Sequence, residues 1–155
     1  MHPYAYSQDR ERTIDHVLDI LGREGVPMNK VVMNHMDTVG LYPVVDLGFS
    51  RSVMKRGAYL GYDGFGMELY YDSMKAHDPS DAQRVDAILR LAEEGFASQI
   101  LLSHDVWLKI LLKQYGGYGY DHILKNMLPI MQRRGIKEVT IALMLLENPA
   151  RVLAT

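Results

Sequence analysis

The stretch Gln99-Ile100-Leu101-Leu102-Ser103-His104-Asp105 decides the fold. An apolar run that stops abruptly at three polar residues is the pattern of a buried strand delivering polar groups at its carboxyl tip. Parallel α/β folds gather their chemistry at such tips, which makes Asp105 a candidate for function. Its other reading is an N-cap for the segment that opens with Val106 and Trp107.

Working outward, the same plan recurs twice. Residues 30–33 form a short apolar run ending in Asn34, His35, Met36 and Asp37, and residues 57–62 form another ending in Asp63-Gly64-Phe65-Gly66. Helical patterns lie between the strands. Residues 9–24 follow Ser7, a candidate cap, and place Ile14, Val17, Leu18 and Leu21 on one face before Gly25 stops them. A weaker helical pattern, interrupted by Gly48, runs over residues 43–54. Residues 67–79 have no clean period and suit a strand-to-helix loop forming a site wall. Ser80 with Gln83 is a capping-box signature for a helix carrying Val85, Ile88, Leu89 and Ala92 as its stripe and closing at Gly95. Beyond the central strand come a Gly- and Tyr-rich loop over 114–120, a helix lined by Ile123, Leu124, Met127, Leu128 and Met131, and a last helix over 137–147 ended by Asn148-Pro149.

Strands separated by helices need crossovers and predict an α/β chain with a parallel sheet. Three strands are expected, and His2-Pro3 has the form of a further strand tip whose strand would precede Met1. The 155 residues predict a single domain, with 48% hydrophobic and 23% charged residues. A formal charge of −2 with scattered Lys and Arg favours neither nucleic acid nor an anionic membrane. Without cysteine, any metal must be held by His and carboxylate. There is no signal-like N-terminus and no run of 18 apolar residues, so a cytoplasmic address is the default expectation.

Six motifs now carry a resemblance: Asn-His-Met-Asp at 34–37, Asp-Gly-Phe-Gly at 63–66, Arg84 in the following helix, Ile-Leu-Leu-Ser-His-Asp at 100–105, Gly-Gly-Tyr-Gly-Tyr-Asp at 116–121, and Glu-Asn-Pro-Ala-Arg at 147–151. In this order and spacing the chain resembles the phosphotriesterase family of the amidohydrolase superfamily, from the tip of the fifth barrel strand to the end. The resemblance implies the C-terminal half of a TIM-type (β/α) barrel, incomplete in this chain. It implies a two-metal centre, most often zinc, in which His2, His35 and Asp105 are ligands and Asp105 also accepts a proton from the attacking water. The substrate class it implies is a small phosphotriester, lactone or related ester. The family's first-strand His-x-His pair and bridging carboxylated lysine have no counterpart here, so both ions would be under-coordinated. Weak metal binding and little or no turnover by the chain alone are therefore expected. Unclosed sheet edges predict that it forms homo-oligomers or pairs with an N-terminal half barrel. The alternative is a non-catalytic remnant or assembly module that retains the fold.

The remaining polar residues divide by position. His104 should point away from Asp105 along its strand and pack or support rather than ligate. Asp63 fits turn chemistry as well as a substrate-orienting role, and Arg84 fits a supporting ion pair with Asp63 or another carboxylate as well as a surface position. Tyr118, with Tyr115 and Tyr120, would give the mouth loop an apolar wall and a hydroxyl for substrate. That loop lacks the Lys and Ser/Thr of a phosphate-binding P-loop. His16 and His77 are expected in solvent. His35 could also be a hydrogen-bonded strand-end histidine, and His2 a residue of a frayed terminus. The methionines fall where a core needs filling.

Overall fold

The computed structural model describes residues 9–39, 41, 45–72 and 75–154. Three parallel strands, β1 (Val32–Met33), β2 (Tyr59–Tyr62) and β5 (Ile100–Leu102), lie side by side in chain order. Val32 pairs with Tyr59, Leu60 with Ile100 and Tyr62 with Leu102. Chain-order neighbours joined through helices are successive (β/α) units, the arrangement from which a barrel wall is built. All four residues of β2 are buried, as expected of a strand paired on both sides and covered on both faces.

Helix α1 (Arg10–Arg23) precedes the sheet and buries Ile14 and Leu18, with Leu21 partly covered. Ser7 and His2 lie outside the described residues. The first strand is shorter than expected: after Pro27 the backbone makes a 3₁₀ turn over Met28–Lys30, so Lys30 is outside the ladder. Its ammonium instead donates to the carbonyls of Arg151 (2.8 Å) and Ala154 at the end of the last helix, where main-chain acceptors run out of partners. Helix α2 spans only Gly48–Lys55, so the pattern at 45–47 is not helical, and residues 42–44 lie outside the described set.

Helix α3 (Asp81–Glu93) starts with the predicted capping box. Ser80 Oγ accepts from the Gln83 amide at 3.3 Å, and Gln83 Oε1 accepts from the Ser80 amide at 2.8 Å. Its buried face is Arg84, Val85, Ala87, Ile88 and Leu91, rotated from the predicted stripe. The rotation follows from Arg84, whose side chain is fully buried and must face its partners inside the protein. Between β2 and α3 the expected loop contains a two-stranded antiparallel hairpin, β3 (Tyr70–Tyr71) with β4 (Ala76–His77). His77 is half-buried rather than solvated, and its Nδ1 lies 2.7 Å from the Asp78 carbonyl.

After β5 the chain forms two 3₁₀ turns and the Gly- and Tyr-rich loop, then a π-helical turn at Ile123–Met127 that runs into α4 (Leu128–Arg133). Helix α5 (Glu138–Ala142) passes through a second π turn (Leu143–Glu147) into α6 (Asn148–Leu153). Asn148-Pro149 therefore does not end the last helix. Pro149, like Pro129, sits in the first turn after a π turn, where the widened ladder already omits the amide bond that proline cannot make. Buried Asn148 donates to the carbonyls of Ala97 and Ile100, both at 2.8 Å, tying α6 to the start of β5. No helix of the described residues is long and apolar enough to cross a membrane.

A buried ionic chain fixes the strand tips. Arg84 Nε donates to Asp37 Oδ2 at 2.7 Å, Nη1 to Asp81 Oδ1 at 3.1 Å, and Nη2 to the Met67 carbonyl at 3.0 Å. Asp37 Oδ2 also accepts from the Gly64 amide at 2.8 Å, joining the loops that follow β1 and β2. A Cβ on Gly64 would fall 2.6 Å from both Arg84 Nη2 and Asp37 Oδ2, so only glycine fits. Burial, with the nearby Asp63 charge, raises the Asp37 carboxyl above its ordinary value against the opposing pull of the Arg84 guanidinium and the Gly64 amide.

Two stability outcomes follow. Ser80→Ala should lower the unfolding free energy by about 1 kcal/mol through loss of the cap, read as a shift in urea midpoint. Arg84→Met, which leaves Asp37 charged and unpaired in the interior, should cost about 3–5 kcal/mol, and the double change Asp37→Asn with Arg84→Met distinctly less.

Candidate metal-binding and hydrolytic site

The tips of β1, β2 and β5 meet at one end of the sheet. His35 follows β1 with φ 56°, a left-handed conformation that costs a non-glycine residue about 1 kcal/mol or more. Hydrogen bonds to its amide, ring and carbonyl hold it there. Asp63, at the tip of β2, takes the His35 backbone amide on Oδ1 at 3.0 Å and the ring Nδ1 on the same oxygen at 2.9 Å. The His35 carbonyl accepts from Arg10 Nη2 at 2.5 Å and from Thr38 Oγ1 at 2.8 Å. With Nδ1 protonated against a carboxylate, Nε2 is the ring nitrogen through which His35 would bind an ion, the outer arrangement usual for a metal-ligating histidine. The hydrogen bond to Asp63 raises the His35 pKa above the ordinary imidazole value. Burial opposes that rise, and the charges of Asp63, Asp105 and Asp37 add to it.

Asp105 stands at the tip of β5. No helix follows it directly, so the N-cap reading fails: its carbonyl accepts from the Trp107 amide at 3.1 Å in a turn, and the next helical turn begins at Lys109. The charge of Asp105 helps raise the pKa of both His35 and Tyr71. Asp105 also lines a small cleft with Phe65, Met67, Val106, Leu111 and Tyr118. His104 lies beyond the end of β5 and supports the chain after the loop instead of joining the candidate ligands. Its Nε2 accepts from the Ile123 amide at 3.0 Å, and burial with the nearby His122 lowers its pKa, in keeping with a neutral acceptor.

Asp63 is a partner of His35, and of the two readings of Arg84 the structure gives the supporting ion pair, with Asp37 and Asp81 as its carboxylates. Sequence reading did not single out Arg10, Asp81, His122 or Asn126. The His122/Asn126 spacing, one helical turn, was a usable signal: Asn126 Nδ2 lies 2.8 Å from His122 Nδ1. His2 lies outside the described residues. Among the described residues no three His, Asp or Glu side chains gather closely enough to hold an ion on their own. The donors fit a divalent ion in kind, an imidazole oriented by a carboxylate beside a separate strand-tip aspartate, and fall short in number.

The comparisons with known proteins agree with this geometry. The chain is 40% identical to an N-acetyltaurine hydrolase of Salmo salar, over 87% of the chain and 38% of that protein. It is 38% identical to a phosphotriesterase-related protein of Drosophila grimshawi, over 99% of the chain and 42% of that protein. The fold superimposes with TM-score 0.87 and 33% identity on a resiniferatoxin-binding protein from Rhodobacter sphaeroides, covering 97% of the chain and 40% of that structure. The chain therefore spans about two-fifths of the length of the relatives it matches. The model of the phosphotriesterase family matches residues 5–153, and with the strand-tip residues described above this places the chain in that family.

Proposed function

We propose that residues 1–155 form one domain, the C-terminal part of a (β/α) barrel, and supply part of the centre of a metal-dependent hydrolase. The observation that carries this reading is His35. A strained strand-tip histidine, buried and fixed by Asp63 at Nδ1, is built to present Nε2 to an ion. His35 and His2 would hold one ion and Asp105 the other. A bound zinc or similar ion would lower the pKa of a coordinated water and polarise the substrate's carbonyl or phosphoryl oxygen. In this chain Asp63 orients the His35 ring, Asp105 Oδ takes the proton from the attacking water, and Tyr118 forms a wall for the substrate.

The substrate is a small molecule with a hydrolysable acyl or phosphoryl group. Phosphotriesters, lactones and related esters fit the strand-tip chemistry, and the name of the salmon relative adds an N-acyl amide. Phe65, Met67, Val106, Leu111 and Tyr118 give the cleft beside Asp105 apolar walls, which suit an uncharged arm of such a molecule. The remaining ligands would come from further barrel strands. Among the described strands β1 and β5 are the outer pair, and we propose that their edges join those strands or a second copy.

Zinc titration and assay test this. The 155-residue chain alone should bind zinc weakly, give no measurable turnover, and sediment as a dimer or larger species; tightly held stoichiometric zinc in a monomer would sink the reading. Supplied with an N-terminal half barrel from a relative and zinc, it should hydrolyse N-acetyltaurine, a lactone or an aryl phosphotriester, and Asp105→Ala or His35→Ala should abolish that turnover. Asp63→Asn should weaken metal affinity about 10- to 100-fold by releasing the His35 ring. Turnover that survives Asp105→Ala would favour a non-catalytic module.

A further inference from the structure

Asp81, the first residue of α3, joins its own helix to two other segments with one carboxylate. Oδ1 accepts from the Gly66 amide at 3.1 Å and from Arg84 Nη1 at 3.1 Å, while Oδ2 lies 2.6 Å from His122 Nε2. His122 is buried at the entrance to the π turn. The Asn126 amide donates to its Nδ1, so the proton sits on Nε2 and points at Asp81. The Tyr118 ring packs on the His122 ring with centroids 4.1 Å apart at 30°. Gly66, at φ 80°, comes so close that a Cβ there would lie 3.1 Å from His122 Cδ2 and 3.3 Å from Tyr118 Cβ. The loop after β2 and the loop after β5 thus touch at Gly66 and are clamped through Asp81 and His122.

We infer that Asp81 and His122 are positioning residues, a latch that holds the 116–121 loop, and with it Tyr118, as the wall of the cleft beside Asp105. This rests on the proposed hydrolytic site for its consequence in specificity, but its geometry stands without it. A carboxylate and imidazole at 2.6 Å, both largely out of water, form a charge-assisted bond far stronger than the contacts of an ordinary surface loop. Tyr118 and Tyr120 in the loop, and Tyr115 just before it, are exposed, so burial of these rings does not hold the loop. The bond from His122, directly after the loop, to Asp81 at the head of α3 adds that restraint to the loop's own amide bonds. The latch therefore determines how well the cleft grips an apolar arm, and has little to do with the reacting bond.

Hydrogen–deuterium exchange on the 155-residue chain tests the latch without any activity. His122→Ala should speed exchange across residues 116–123 about tenfold or more, including the Gly117 and Gly119 amides bonded to Leu112 and Leu111, while β2 and α1 stay protected. His122→Gln, which can still donate to Asp81, should restore most of the protection. Unchanged exchange in the loop, or a uniform rise over the whole chain in both variants, would overturn the inference. In a barrel completed with an N-terminal half, His122→Ala should raise KM about tenfold for an ester with an aromatic arm. KM for the corresponding acetyl ester should move little, with kcat within about threefold for both. An equal loss for both esters, carried by kcat, would overturn it. Exchange behaviour as expected with no turnover in the completed barrel would leave the latch standing and count against the hydrolytic reading alone.

Discussion

A guanidinium with no exposed surface is the constraint around which the functional end of this protein is arranged. Taking the Arg84 charge out of water costs several kcal/mol, and the cost is offset only if its fork finds acceptors in fixed directions. The acceptors come from three places: Asp37 after β1, the Met67 carbonyl after β2, and Asp81 at the head of α3. Satisfying one cation thus sets the relative positions of the loops that carry His35 and Asp63. A hydrophobic residue at this position could pack as well, but it would not specify where each strand tip stops.

The same logic reaches outward to the mouth. Asp37, Arg84, Asp81 and His122 alternate in character along a chain of short bonds, from the innermost strand-tip loop to the loop bearing Tyr118. Each member is largely buried, so removing one leaves its neighbour unsatisfied in a medium of low dielectric. Rigidity at this end of the sheet suits a site that must present side chains from several strands to one point. Strain at His35 belongs to the same design. A left-handed histidine persists because its amide, ring and carbonyl are all engaged, and the conformation aims the ring where a helical or extended residue would not.

Membership of the phosphotriesterase family agrees with parallel strands taken in chain order with polar tips, and the chain spans about two-fifths of the length of the relatives it matches. The N-acetyltaurine hydrolase and the resiniferatoxin-binding protein differ in the small molecules their names record, and this chain is similar to part of each.

Much of this was legible from the chain alone. Three apolar runs with polar ends predicted three parallel strands because burial on both faces demands continuous hydrophobicity, and Ser80 with Gln83 predicted the start of α3 because the capping box is purely local. His35, Asp63 and Asp105 stood out by their place at strand ends. Local patterns could not choose between a surface position and an ion pair for Arg84, or name its carboxylate, until the fold brings Asp37, 47 positions away, to 2.7 Å. Nor could they show that Asn148-Pro149 continues a helix, since the π turn that accommodates the proline is stabilised by packing against β5. Periodicity and caps depend on neighbours in sequence, and so the sequence determined the elements and their polar tips. Long-range electrostatics depends on which distant groups share a dry space, and only the tertiary structure decided that His35 would be held by Asp63, and His122 by Asp81.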